Sequence, residues 1–124
     1  MVAVSLKKVD EPVGFKHPTT ILEDRNHNVW VGSEFGVVRY HNEKASYIEA
    51  AKGLSSNNVT ALCEDHEGSI WLGTYYSGLN RLREGAFTNY TVLNGLTHNT
   101  IHSIFQSTNG VIFLGAERDR NSVV

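Results

Sequence analysis

The sequence predicts an all-β fold assembled from repeated units of about 42 residues. The spacing is 41 residues from Trp30 to Trp71 and 42 from Gly73 to Gly115. Apolar residues alternate inside each unit between turn residues, which is typical of short strands, and no helix of useful length interrupts them. The repeated stretches are residues 18–32 (PTTILEDRNHNVWVG), 59–73 (VTALCEDHEGSIWLG) and 101–115 (IHSIFQSTNGVIFLG).

The second copy shows the unit most completely. Residues 60–64 and 70–72 are strand candidates joined by the turn DHEG at residues 65–68, in which Asp accepts backbone N–H bonds and Gly supplies a positive φ. Residues 79–82 and 87–91 are two further alternating segments. Four short strands in a repeat of this length are typical of a β-propeller blade.

The repeat divides the chain into an N-terminal strand that completes a blade, two full blades and a partial third: residues 1–18, 19–59, 60–100 and 101–124. In the first copy His27 stands where the second has Gly68, so this turn is expected to hold a non-glycine residue at positive φ or to use another turn type. The pattern is lost after Gly115, where we expect the tail to contribute one strand. The predicted fold is an incomplete ring of about three blades, each a four-stranded antiparallel sheet.

Taken together, these motifs resemble the two-component regulator propeller repeat. EDHEGSIWLGT, GLNRL, FTNYT and NGLTHN follow one another in the second copy, and the resemblance covers about residues 18–115. Repeats of this family build the extracytoplasmic sensor of hybrid histidine kinases, where many copies close seven-bladed propellers. The resemblance therefore implies a periplasmic or extracytoplasmic sensor of signal transduction, although the N-terminus lacks a secretory h-region. The family's immunoglobulin-like module, membrane helix and kinase domains are not among these 124 residues.

Composition and charge narrow the classes of function. A net charge of -2 gives no reason to expect nucleic acid as a partner, and no run approaches the roughly 18 apolar residues of a membrane helix. Cys63 is the single cysteine, which excludes an internal disulfide. It aligns with Leu22 and Phe105 in the other copies, so we expect a buried small hydrophobe and not a catalytic thiol.

Side chains that suggest catalysis recur at fixed repeat positions, which favours structural roles. Adjacent Glu-Asp pairs stand at residues 23–24 and 64–65. One carboxylate of each pair should serve the turn, and the other should face solvent or a neighbouring blade. His66 does not complete a metal site, because residues 106–108 of the third copy read Gln-Ser-Thr. We expect no catalytic residue, no metal ligand and no cofactor.

One aromatic position of the repeat is expected to pack between blades. Trp30 and Trp71 occupy it, with Phe113 in the third copy. Burying such a ring contributes several kcal/mol, at about 25 cal/mol per Å2 over roughly 150–250 Å2. The periodicity therefore predicts core residues and not platforms for sugars or bases.

The loops on the channel face are the candidate ligand site. In a propeller, the loop that leads into the first strand of a blade and the loop between its second and third strands lie on one face. Here these loops differ between copies while the scaffold does not, so specificity is expected in them. Their Tyr, Asn, Ser and His side chains suit a polar ligand such as a glycan. The candidate residues are Glu34, Phe35, Ser56, Asn57, Tyr75, Tyr76, His98 and Asn99.

Three interpretations of function stay open. The leading one is a non-enzymatic module that binds a carbohydrate, a small polar ligand or another protein. An alternative is an enzyme resembling the propeller lyases that open cyclic antibiotics, which would need a metal-bridged His and Glu pair on the channel face. The third is a truncated fragment with no independent function.

Ring closure raises a question of assembly. A propeller needs at least about four blades, and three blades leave two large apolar sheet faces exposed. Two copies joined head to tail would close a six-bladed ring. We therefore expect self-association into such a dimer, or else an incomplete fragment.

Overall fold

The protein folds into three antiparallel sheets that follow one another along the chain. The computed structural model describes residues 18–42, 44–48 and 53–116, and the backbone of residues 121–123. A short 3-10 helix, Val92–Asn94, connects the second sheet to the third. The strands are β1 (Thr20–Glu23), β2 (Val29–Ser33), β3 (Gly36–His41), β4 (Lys44–Ile48), β5 (Val59–Glu64), β6 (Ile70–Thr74), β7 (Leu79–Arg83), β8 (Ala86–Tyr90), β9 (Ile101–Gln106), β10 (Ile112–Ala116) and β11 (Asn121–Val123).

Each sheet is a meander in which neighbouring strands are consecutive in sequence. The orders are β1-β2-β3-β4, β5-β6-β7-β8 and β9-β10-β11. Strand β1 contacts β5 and β5 contacts β9, so the first strands of the three sheets lie side by side. This is the arrangement of successive propeller blades around a channel, and the described sheets do not close into a ring. The predicted all-β class and the incomplete β-propeller are confirmed.

Two apolar cores lie between the blades. The first is formed by blade 1 residues Trp30 and Val37 against blade 2 residues Val59, Ile70 and Leu72. The second is formed by Trp71 and Leu79 of blade 2 against Ile101, Ile112 and Leu114 of blade 3. Each blade therefore has a leading face, which packs against the preceding blade, and a trailing face, which packs against the following one.

The same polar contacts join blades 1 and 2 and blades 2 and 3. Thr19 Oγ1 donates to the carbonyl of Val59 at 2.7 Å, and Thr60 Oγ1 donates to the carbonyl of Ile101. Gly32 and Gly73 permit this approach: a Cβ on Gly73 would lie 2.7 Å from Ile101 Cγ2. The interface between blades is thus a repeated structure in its own right.

A second repeated contact lies at the turns. The backbone N–H of Arg25 donates to Glu64 Oε1 at 3.1 Å, and the backbone N–H of His66 donates to Gln106 Oε1 at 2.7 Å. In both cases the turn of one blade donates to the last residue of the first strand of the next blade. Glu64, one of the adjacent carboxylates, therefore faces the neighbouring blade, and its carboxylate also lies 3.3 Å from Arg25 Nε.

Several local expectations agree with the structure. His27 adopts φ 63°, so the first hairpin does hold a non-glycine residue in the left-handed region. The tail contributes one strand, β11, which pairs with β10. The strand expected within residues 1–18 falls on residues 1–17, which lie outside the described residues.

The expectation for Phe113 is wrong. Trp30 and Trp71 are buried between blades, as predicted, whereas Phe113 is 44% exposed. Phe113 lies on the trailing face of blade 3, opposite Phe105 in the strand register. Among the described residues no sheet covers that face, so the repeat position alone does not bury the ring.

Candidate functional site

Two aspartates organise the hairpins that carry the site. Asp65 Oδ1 accepts the backbone N–H groups of Glu67 and Ser69, both at 2.9 Å, while Oδ2 accepts Trp71 Nε1–H at 2.8 Å. Asp24 accepts equivalent bonds from its own turn and from Trp30 Nε1, the latter at 2.9 Å. The carboxylate thus closes the turn and also holds the indole six residues further on.

These contacts set the ionisation of both carboxyl groups. Burial raises the pKa of Asp24 and Asp65, but the hydrogen bonds from the indole and the turn outweigh it and lower the pKa of each below the ordinary 3.8. Arg81 adds a further lowering at Asp65. Both groups are therefore carboxylates at neutral pH and carry no proton to donate. They serve as hydrogen-bond acceptors, which is a structural role.

Each indole is covered by an arginine from the third strand. Arg39 Cζ lies 5.7 Å from the Trp30 ring centroid and Arg81 Cζ lies 5.5 Å from that of Trp71. Both pairs face each other directly in the strand register. The arginine of the GLNRL motif therefore makes a cation–π contact, a role that its recurrence in the first copy could have indicated.

The remaining polar residues of the second hairpin are also engaged in scaffold contacts. Burial and the nearby Asp65 and Glu64 carboxylates raise the pKa of the Cys63 thiol, which keeps it protonated and packed against the second core. Among the described residues, no three His, Cys, Asp or Glu side chains are grouped to hold a metal ion. Glu64, Asp65 and His66 instead make the blade and turn contacts given above.

The loop between β6 and β7 displays two tyrosines on the face where the blades' lead-in loops also lie. Their hydroxyls are 3.0 Å apart and their ring centroids 4.0 Å apart, with the rings inclined by 60°. Tyr76 is 64% exposed. It also has φ 73°, and a bulky residue in the left-handed region is uncommon. The pair therefore presents aromatic and hydroxyl surface from a constrained backbone.

Lead-in loops from two blades hold this pair in place. The Tyr75 N–H donates to the carbonyl of Asn58 at 3.0 Å, which belongs to the loop before β5. The Tyr76 N–H donates to Thr100 Oγ1 at 3.2 Å, which belongs to the loop before β9. The expected proximity of these two kinds of loop is therefore present around Tyr75 and Tyr76.

The loop before β9 is itself fastened on both sides. Thr100 N–H donates to His98 Nδ1 at 3.1 Å, which assigns the ring proton of a neutral His98 to Nε2. The Asn99 carbonyl accepts the Gly78 N–H at 2.8 Å, and Asn99 Oδ1 accepts the Val92 N–H at 2.8 Å. Asn99 is thus committed to connecting blades 2 and 3.

The other candidates have local roles in the described structure. Ser56 Oγ accepts the Asn58 N–H at 3.1 Å, and the Asn57 carbonyl accepts the Val59 N–H at 3.1 Å. In the β2–β3 loop of blade 1, Glu34 is exposed and the Phe35 N–H donates to Ser33 Oγ at 3.0 Å. No described hydrogen bond joins Glu34 or Phe35 to the tyrosine pair.

Sequence reasoning missed the buried polar residues beneath the loops. Asn80 is fully buried, and its Nδ2 donates to Ser55 Oγ at 2.7 Å. Ser55 Oγ in turn donates to the carbonyl of Ser77 at 3.0 Å. The only available signal was a polar residue at an inward position of the third strand, where the first copy has Val38. These bonds join the lead-in loop to the tyrosine-bearing loop within one blade.

The comparisons with known proteins agree with this architecture, which is that of a partial β-propeller. Residues 53–76, from the loop before β5 to Tyr76, match the model of the two component regulator propeller family. This match confirms the resemblance seen in the motifs of the second copy. No curated protein sequence matches the chain.

Solved structures share the fold at low sequence identity. Two are extracellular domains assigned to hybrid two component systems from B. thetaiotaomicron, with TM-scores of 0.77 and 0.73 and identities of 18% and 22%. They match 91% and 86% of this chain, and the chain spans only 18% and 17% of their length. Virginiamycin B lyase from Staphylococcus aureus matches 86% of this chain and 40% of its own, with 14% identity and a TM-score of 0.63.

Within the described part of the chain, no helix is long and apolar enough to cross a membrane.

Proposed function

We propose that this protein is a non-enzymatic recognition module of the sensor-propeller type, and that it binds a polar ligand such as an oligosaccharide through its loop face. The observation that carries the proposal is the exposed Tyr75–Tyr76 pair, fastened by backbone hydrogen bonds to the loops before β5 and β9. Aromatic faces with adjacent hydroxyls suit sugar rings, which offer C–H surface and hydroxyl groups together.

The constrained backbone supports this proposal. Tyr76 keeps an unfavourable left-handed φ and yet is exposed, so its conformation is not required for burial of the side chain. Strain of this kind is retained where the surrounding structure enforces it, and it is commonest at binding and active sites. A rigid aromatic pair also loses little conformational entropy when a ligand binds.

The proposed setting is extracytoplasmic, as part of a two-component signalling system. Support comes from the family repeat at residues 53–76 and from the structural similarity to extracellular domains of such systems. A sensor needs a ligand-dependent surface, and the loop face is the part of the fold that differs between repeats.

Calorimetric titration against a panel of neutral and acidic oligosaccharides tests the proposal. We expect at least one member to bind and Tyr76→Ala to weaken it tenfold or more, equivalent to about 1.4 kcal/mol. Leu93→Ala is the matched control, because Leu93 is 93% exposed on the 3-10 helix and no described hydrogen bond joins it to the tyrosine-bearing loop. An unchanged affinity in Tyr76→Ala, or no binding across the panel, contradicts the proposal.

The same samples separate this proposal from the lyase alternative. The similarity to virginiamycin B lyase concerns the fold. In blade 2, Glu64 and His66 make contacts between blades. We expect no ring opening of a cyclic antibiotic in the presence of divalent metal. Turnover that depends on added metal would favour the enzyme.

A further inference from the structure

Blades 1 and 2 carry the same stacked arginine but surround it with different polar groups. In blade 2, Arg81 Nε donates to Ser69 Oγ at 3.2 Å, and Arg81 Nη2 donates to Glu67 Oε2 at 3.3 Å. The same Glu67 oxygen accepts a hydrogen bond from Arg83 Nη1 at 2.7 Å. The carboxylate of Glu67 therefore pairs with two arginines at once, beside the β5–β6 turn.

The equivalent arginine of blade 1, Arg39, has neither kind of partner. Among the described residues its guanidinium makes no hydrogen bond or ion pair, and its Nε is buried. Asn28 stands where blade 2 has the serine, but its amide is already engaged: Nδ2 donates to Asp24 Oδ2 at 3.0 Å, and Oδ1 lies 2.6 Å from His41 Nδ1. A buried donor without an acceptor is costly and rare in folded proteins. Stacking on Trp30 is thus the one described contact that holds this guanidinium.

The carboxylate that blade 2 supplies is replaced by an amide in blade 1. Asn26 stands at the position of Glu67, and each of these residues donates its backbone N–H to the turn aspartate at 2.9 Å. His27 and Gly68, the next residues, both have a left-handed φ, so the two turns follow the same course. The Asn26 side chain therefore starts from the place from which Glu67 reaches its arginines, but it is neutral and one methylene shorter.

A second positive charge lies at the same end of blade 1. Lys44 is exposed and faces His41 in the strand register, at the position where blade 2 has Ala86. Cross-strand partners lie on the same side of a sheet, and alternate residues of a strand share a side. Lys44 is therefore on the side of the sheet that carries Arg39. The carboxylate on this side, Asp24, is already occupied by the indole and turn N–H groups.

We propose that this end of blade 1 binds a carboxylate or phosphate group of a ligand, in the place that Glu67 occupies in blade 2. The Arg39 guanidinium donates to the anionic oxygens, the Asn26 amide is a neutral donor and Lys44 adds charge. A guanidinium matches the two oxygens of such a group, and the charged pair is stronger than a neutral hydrogen bond. The site lies at the β1–β2 turn, at the opposite end of the blades from the loops that hold the tyrosine pair. It is therefore independent of the oligosaccharide proposal.

An NMR titration of the isotope-labelled protein with glutarate and, separately, with inorganic phosphate tests the proposal. At least one probe should move the Asn26 backbone N–H signal along a saturating curve, and a preference between the two identifies the anionic group. Sodium chloride at equal ionic strength is the control for screening. Arg39→Met keeps an unbranched chain over the Trp30 ring but removes the charge, so it should weaken binding at least tenfold. No saturating response to either probe, or the same response to chloride, overturns the proposal.

Exchanging the two turn residues separates binding from folding. Asn26→Glu gives blade 1 the carboxylate of blade 2, which should pair with Arg39 from within the chain and weaken binding of the probe at least tenfold. Glu67→Asn should do the reverse: it frees Arg81, and a second set of signals, at the β5–β6 turn, should then respond. Glu84→Gln removes the same charge from the exposed β7–β8 turn and should leave the response of the parent protein unchanged. Undiminished binding in Asn26→Glu, or no added response in Glu67→Asn, contradicts the proposal.

Discussion

The β5–β6 hairpin of blade 2 and the β9–β10 hairpin of blade 3 occupy equivalent places in the repeat and are stabilised differently. In blade 2, Asp65 closes the turn and accepts the indole N–H of a buried Trp71. In blade 3, Ser107 takes the place of the aspartate and its hydroxyl bonds within the turn, to Asn109. Phe113, which has no polar hydrogen, takes the place of the tryptophan and is partly exposed.

The difference shows that the aspartate and the tryptophan act as a pair. An indole N–H buried between blades needs an acceptor, and a buried carboxylate needs donors. Where the ring loses its N–H, the carboxylate is no longer required. Blade 3 has changed both residues, which keeps its hairpin free of an unpaired buried group.

The largest expected effect is from Trp71→Ala. This change removes a buried ring between two blades and should lower the free energy of unfolding by about 3–5 kcal/mol. Phe113→Ala, at the equivalent position of blade 3, should cost clearly less, because that ring is already partly in water. Urea denaturation of both variants at one fixed protein concentration measures the difference. Equal losses would remove the distinction between the two hairpins.

A smaller loss is expected from Asp65→Asn. The amide keeps one acceptor oxygen but turns an N–H group toward a donor, so the free energy of unfolding should fall by about 1–3 kcal/mol. Ser107→Ala, in the same place of blade 3, should cost under about 1 kcal/mol, because the turn there makes weaker contacts. The midpoint of chemical unfolding, with an unchanged m-value, is the measurement. A Ser107→Ala loss as large as that of Asp65→Asn would contradict the expectation.

Acid should weaken the first two hairpins more than the third. The folded-state pKa values of Asp24 and Asp65 are below 3.8, so the stability that their ionised forms contribute is fully present above that pH. It is lost as the pH falls through the lower folded values. A series of urea midpoints from pH 6 to pH 2 should show this decline, and Asp65→Asn should make it shallower. An unchanged slope in that variant would argue against the carboxylate as its source.

The smallest effect is expected from introducing the aspartate and the tryptophan at the equivalent positions of blade 3. Ser107→Asp with Phe113→Trp should show a favourable coupling of about 0.5–1.5 kcal/mol relative to the two single changes. The bond would form, but the indole would remain partly exposed, which limits its value. A double-mutant cycle measures the coupling. A coupling as large as the one between Asp65 and Trp71 would show that burial between blades adds nothing to the pair.

Much of the fold could be predicted from the sequence because its signals are local and repeated. The alternation around Trp30 and Trp71 places the strands, and the Asp-to-Gly turn of residues 65–68 places the hairpin. The candidate site was predicted only as far as its loops. Whether the eight candidate residues contact a ligand stays a prediction, and only Tyr75 and Tyr76 are shown joined by backbone bonds to both neighbouring lead-in loops.

The sequence by itself determined the repeat, the strand order within each blade and the turn chemistry, since these depend on residues within a few positions of one another. Only the tertiary structure decided which repeated positions are buried. Phe113 shares its repeat position with two buried tryptophans and is exposed, because burial requires a neighbouring blade about 40 residues away in the sequence. Tyr76 likewise makes a contact that is distant in sequence, because its backbone N–H donates to Thr100 Oγ1 in the loop that leads into blade 3.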